Sequence, residues 1–139
     1  LWRGEFTLAS GHRVARDILD SRQPLPDAIF CFNDVMAIGL ISEFQRAGVA
    51  VPGRVAVAGF DNIETAEHIS LTSVACPMRL MGQAAARWAI DSVLNDEKPD
   101  GSHRLQVRLA VRISAAGKRG SPTLQRARVT SVMYADGQA

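Results

Sequence analysis

Residues 26–61, PDAIFCFNDVMAIGLISEFQRAGVAVPGRVAVAGFD, hold two short apolar runs with one amphipathic stretch between them, and few folds accommodate that arrangement. Ala28 to Phe32 follows Pro24 and Pro26 and has the continuous apolar character of a strand in a parallel sheet covered on both faces. Asn33-Asp34 ends it. Asp34 is expected to cap the next helix, because its carboxylate can accept the free N–H groups of the first turn. Val35, Ile38, Ile41 and Phe44 then recur at helical spacing. Gly48 closes that helix, Val49 to Gly53 is the return loop, and Arg54 to Phe60 is a second, valine-rich strand ending at Gly59-Phe60-Asp61. The whole is one βαβ crossover. Open α/β sheets bind ligands beyond the carboxyl ends of their strands, so Asn33, Asp34 and Asp61 point to a small-molecule cleft.

Around this unit, Leu1 to Phe6 reads as the end of a strand, and the chain is expected to be a fragment because it starts inside one. Ser10 to Ser21 is an amphipathic helix with Val14, Ile18 and Leu19 on one side. Asn62 to His68 can form a short helix capped by Asn62, and Leu71 to Val74 a short strand. Pro77 suits a helix first turn, and Met78, Met81, Ala85, Trp88, Ala89, Val93 and Leu94 form the stripe of a helix ending near Asn95. Pro99 to Ser102 reads as a loop. Leu105, Val107, Leu109, Val111 and Ile113 alternate with polar or small residues, as in a half-exposed strand over Arg104 to Ser114. Beyond Ala116 no period persists, and 116–139 reads as a flexible tail.

The order ND-x-MA-x-G, then VP, then V-x-V-x-GFDN resembles the lactose-repressor/galactose-repressor family of bacterial transcription regulators, in the second half of its effector domain. The resemblance implies an α/β fold with a periplasmic-binding-protein-like (type I) parallel sheet, flanking helices and an incomplete two-subdomain core. Residues 1–74 and 109–115 would belong to the C-terminal subdomain and 75–108 to part of the N-terminal one. The helix-turn-helix would be missing. So would part of the sheet under the Pro77 to Asn95 helix, leaving that helix's apolar stripe exposed.

By the same resemblance, Gly4-Glu5-Phe6 matches a GDF or GDW motif whose aromatic ring packs on the effector. Asn33 matches an asparagine that bonds a sugar hydroxyl, and Asp61 an aspartate that accepts hydrogen bonds from the ligand. A carboxylate suits a sugar because its two oxygens can hold two adjacent hydroxyls. Met78 matches an apolar position facing the cleft. From the residues alone, Phe6 and Met78 are equally core side chains, Asn33 a turn former and Asp61 a capping group. His12, Ala37, Ile38 and Ser42 are expected near the two-fold interface of a homodimer. Two departures stand out: Cys76-Pro77 replaces the common Gln-Pro, and the connection from Asp61 to Leu71 is short and lacks a proline.

Composition narrows the function classes. The net charge is +2, but Lys118, Arg119, Arg126 and Arg128 against Asp136 give the last 25 residues +3, so residues 1–114 carry −1. A body of that charge is a poor DNA-binding surface. No apolar run approaches the roughly 20 residues that span a bilayer. Cys31 and Cys76 read as reduced thiols. His12, His68 and His103 are scattered and no HExxH, CxxC, G-x-S-x-G or phosphate loop is present, so neither an enzyme nor a bound cofactor or metal is expected. The resulting expectation is the effector-sensing and dimerising part of a cytoplasmic, sugar-responsive regulator whose absent domain binds operator DNA. A periplasmic sugar-binding protein serving a transporter is the alternative.

Overall fold

Thr7 starts the first helix. Its Oγ1 accepts the Ser10 backbone N–H at 3.1 Å, and the buried positions Ser10, Gly11, Val14, Ala15 and Ile18 follow at helical spacing. A computed structural model of the protein describes residues 1–94, 104–117 and 131–135. In chain order the elements are β1 (Trp2–Gly4), α1 (Leu8–Asp20), β2 (Ala28–Cys31), α2 (Asp34–Arg46), β3 (Ala56–Asp61), α3 (Glu64–His68), β4 (Thr72–Ala75), α4 (Met78–Leu94), β5 (Arg108–Ala110), a 3-10 turn (Ile113–Ala115) and β6 (Ser131–Ala135). They build one sheet of order β1-β6-β2-β3-β4-β5, parallel throughout except for β5.

The expected crossover is present as β2-α2-β3, with Ala28, Ile29 and Phe30 opposite Ala56, Val57 and Ala58. The order β1, β2, β3 runs in one direction across the sheet. Right-handed crossovers therefore place α1 and α2 on the same face. The two helices touch where Gly11 meets the Met36 carbonyl and Gly39 meets the Leu8 carbonyl, and a Cβ at either glycine would collide with that oxygen. Val14, Ile18, Ile29, Met36, Leu40, Phe44, Val55, Val57 and Leu71 fill the space between helices and sheet. Each such buried aliphatic or aromatic side chain contributes about 1.5–3 kcal/mol.

That topology corrects the expectation of a sheet buried on both faces. Ile29, Cys31 and Val57 are buried under the helices, whereas Ala28, Phe30, Ala56 and Ala58 on the opposite face are only half-buried. With both crossovers on one side, no described helix covers the other.

Beyond β4, α4 has no buried residue; Met78, Leu80, Met81, Ile90, Val93 and Leu94 are all exposed, as the fragment reading expects. Asn95 and the expected loop Pro99–Ser102 lie outside the described residues. The strand expected over Arg104–Ser114 shrinks to Arg108–Ala110, and Val107, Leu109, Val111 and Ile113 are exposed, so its alternation buries nothing here. The return is fastened by polar groups instead. Ser114 Oγ accepts the Thr72 N–H at 2.8 Å and donates to the Val57 carbonyl at 2.6 Å, while the Arg112 N–H donates to Thr72 Oγ1 at 2.8 Å.

The tail also departs from expectation. Ser131–Ala135 is a strand inside the sheet, with Met133 opposite both Trp2 and Cys31; residues 118–130 and 136–139 lie outside the described residues. A segment without internal periodicity can still satisfy two neighbouring strands through its backbone, which sequence pattern does not register.

Candidate functional site

Because β1 to β4 are parallel, their carboxyl ends share one edge of the sheet, and that edge carries Phe6, Asn33, Asp61 and, after β4, Met78. An open cleft of ≈ 650 Å³ lies at part of this edge, lined by Asp61, Asn62, Ile63, Cys76, Pro77, Met78, Arg79 and Leu80. Two of the four expected ligand residues, Asp61 and Met78, therefore share a cleft. Phe6 and Asn33 do not line it.

Phe6 is 54% exposed and has φ 56°, the left-handed region that side chains other than glycine enter at a cost. Asp61 (φ 100°) and Asn62 (φ 55°) are in the same region. Such backbone costs of order 1–3 kcal/mol per residue and persists only where its surroundings enforce it. The enforcing groups come from the start of α2.

Here the capping expectation is corrected. Asn33, not Asp34, is the N-cap of α2: its Oδ1 accepts the Met36 N–H at 2.8 Å, and its Nδ2 donates to the Phe6 carbonyl at 3.0 Å. Asp34 is wholly buried. Its Oδ2 accepts the Ile63 N–H at 2.9 Å and its Oδ1 the Ser73 hydroxyl at 2.6 Å, while Ser73 Oγ in turn accepts the Asn62 N–H at 3.0 Å. The carboxylate is thus committed to the β3–α3 corner rather than to its own helix. Asn62 is likewise not a cap: α3 has Ile63 at its N-cap, without a side-chain bond, and Asn62 Oδ1 is buried with no partner among the described residues.

The electrostatics of the edge follow from this packing. Asp61's carboxyl is raised above the usual carboxylate value, first by burial and then by the charge of Asp34. The Cys76 thiol is raised by burial and by Asp61 and Asp34, and that of Cys31 is pushed up to about 12 by burial and by Asp34. Thiols held protonated in this way are poor nucleophiles. Neither cysteine forms a disulfide. Among the described residues no group of three His, Cys, Asp or Glu is placed to hold a metal.

Of the expected interface residues, His12, Ile38 and Ser42 are half-buried, whereas Ala37 is wholly inside the core and offers a partner no surface. The small residues Gly11 and Gly39 beside them are used within the chain, where α1 meets α2. Ser73 was missed as a site residue. Its signal, a hydroxyl among the apolar residues of a buried strand, has no meaning until Asp34 is placed opposite it.

Comparison with known proteins agrees with this geometry. Residues 3–115 match the family described as periplasmic binding protein-like domain. The chain is 35% identical over 112 residues to the HTH-type transcriptional repressor CytR of Escherichia coli (strain K12), covering 79% of this chain and 33% of that protein. It is 37% identical over 101 residues to the HTH-type transcriptional repressor PurR of Vibrio campbellii, covering 71% of this chain and 30% of that one. The chain spans about one third of these relatives. Among solved structures, the transcriptional regulator CelR in complex with cellobiose superposes with a TM-score of 0.74 at 34% identity, covering 81% of this chain and 35% of that one. A LacI family transcriptional regulator from Enterococcus faecium with bound ribose gives 0.71 at 32% identity, with 81% and 42% covered. Motif order, parallel-sheet topology and relatives agree: the chain belongs to the periplasmic-binding-protein-like domain family, in the form carried by LacI-type transcription regulators.

Proposed function

We propose that this chain is the effector-sensing and dimerising part of a sugar-responsive transcription regulator. A small molecule bound at the carboxyl edge of the sheet changes how an attached DNA-binding domain engages its operator. The observation that carries this reading is the cleft at the strand ends, which presents the Asp61 carboxylate beside the apolar Met78. A carboxylate next to an apolar wall matches a sugar or sugar derivative, whose hydroxyls donate in the ring plane and whose faces are apolar. Cellobiose and ribose in structures of two relatives support the ligand class. Phe6 supplies an aromatic face at the same sheet edge, and Asn33, with one Nδ2 hydrogen not used by Phe6, can still donate to a hydroxyl.

The coupling is differential binding: ligand favours one arrangement of two subdomains and thereby one operator affinity. The work is binding, not catalysis. Partners are the effector, operator DNA through a domain outside this chain, and a second copy meeting the face that carries His12, Ile38 and Ser42. A DNA-binding role places the protein in the cytoplasm, and among the described residues no helix is long and apolar enough to cross a membrane. The transporter reading is not favoured, because the relatives matched by sequence are repressors.

The test is calorimetric titration of the longer protein with a panel of mono- and disaccharides that includes ribose and cellobiose. Asp61→Ala should weaken the binding sugar by roughly tenfold to a hundredfold, since a hydrogen bond to a charged group contributes about 1.5–3 kcal/mol. Wild-type affinity in that variant would overturn the site, and the absence of any sugar binding would overturn the ligand class.

A further inference from the structure

We infer that Asn33 and Asp34 act as a two-armed bracket at the head of α2. In this bracket Asn33 holds Phe6, and Asp34, acting through Ser73 and the Ile63 amide, holds the Asp61-Asn62 corner, so that one helix start positions both sides of the binding edge. The inference rests on the reading of Phe6 and Asp61 as effector contacts, but its geometry is independent of any ligand.

Three residues of the edge have positive φ: Phe6, Asp61 and Asn62. None is glycine, and although Asn and Asp enter this region more readily than other side chains, Phe6 and the φ 100° of Asp61 require support from outside. Asn33 Nδ2 reaches the carbonyl of Phe6 itself, across 27 residues of chain. Asp34 reaches the opposite side, binding the amide of Ile63 directly and that of Asn62 through the Ser73 hydroxyl. Both arms leave adjacent residues of one element. Because Asn33 Oδ1 also caps the Met36 N–H, the left arm is fixed to the helix by the same amide that extends it. Asp34 is fixed by burial: it is fully enclosed, and a Cβ at Gly59 would strike its Oδ1, so the strand must be bare at that point for the carboxylate to pass. Small rotations of α2 would move Phe6 and the Asp61 corner together. In the bracket these two residues position the edge, a role separate from the ligand contact proposed for the second Nδ2 hydrogen of Asn33.

The two arms can be cut separately in the 139-residue chain. Asn33→Asp keeps an oxygen for the Met36 N–H and removes the donor to Phe6. Asp34→Asn keeps the side chain's shape, removes its charge and turns one of its two acceptor oxygens into a donor, so it can no longer accept from both the Ile63 N–H and the Ser73 hydroxyl. Solution NMR then reads each arm without a ligand. Asn33→Asp should move Phe6 out of the left-handed region, raising its three-bond HN–Hα coupling, with the Asn62 and Ile63 amides unchanged. Asp34→Asn should speed hydrogen exchange of the Asn62 and Ile63 amides at least tenfold and leave the Phe6 coupling as it was. A general loosening of the fold would move both readouts in both variants. That result, or no change in either readout, would overturn the bracket. Loss of sugar affinity plays no part in these outcomes, so a wrong ligand assignment would leave the bracket standing and a wrong bracket would leave the ligand assignment standing.

Discussion

Asp61 bears a conflict that the free protein must tolerate. It is a partly buried carboxyl near the charge of Asp34, held at φ 100°. Its folded-state value is raised, so folding favours the protonated form. The stability this contributes is complete below the ordinary aspartate range and is lost as pH rises from there through the raised folded value. Asp61→Asn removes the penalty. The variant should melt at a higher temperature than wild type at pH 7, and the gain should disappear near pH 3; thermal melts across that range check both. Site residues whose signal was a local motif were legible in the sequence: GFDN placed Asp61 at a strand end, and ND placed Asn33-Asp34 at the head of a helix. Their division of labour was not. Asn33 and Asp34 are both good capping residues, and only the presence of Ser73 and the Ile63 amide beside position 34 decides which one caps.

At the scale of elements, periodicity served well wherever a face is buried within the chain and poorly elsewhere. The crossover β2-α2-β3 and the helix α1 lie close to their expected bounds because their apolar positions meet one another. The strand expected over Arg104–Ser114 carried an equally clear alternation, yet only Arg108–Ala110 pairs, because its apolar side chains have nothing described to pack against. What holds the return segment is the hydroxyl of Ser114. Ser114→Ala would leave the Thr72 N–H and the Val57 carbonyl without that partner, each an unmet buried group costing about 1–3 kcal/mol. The expected loss is therefore about 2–6 kcal/mol, measurable by urea titration, and an unchanged midpoint would mean that other groups fasten the return. On the outer face of α1 and α2, Glu43 bonds Arg16 at 3.2 Å and His12 at 2.9 Å, and these bonds, Arg16 foremost, hold its carboxyl below the usual value. The Arg16 end is exposed, so that pair sets orientation more than stability.

For the whole molecule, the half-covered sheet face, the unburied α4 and the one-third span of the relatives fit a unit that completes its core with further residues. The proposed dimer face is tested in the longer protein by Ile38→Arg, which would bury an unpaired charge once per subunit and should yield monomers by sedimentation. An intact dimer would rule that face out. The placement of β6 has a consequence in time. The strand between β1 and β2 is supplied by residues 131–135, which leave the ribosome long after both of its neighbours. Until they arrive, β1 and β2 each present an open edge of backbone donors and acceptors to any extended chain nearby. A parallel sheet whose interior strand comes last closes its longest loop late, which slows folding and lengthens exposure to wrong partners. A chain ended after Gly117 would remain permanently at that stage. It should form concentration-dependent aggregates by light scattering under conditions where the 139-residue chain stays dispersed, and the peptide SVMYA added in trans should suppress them.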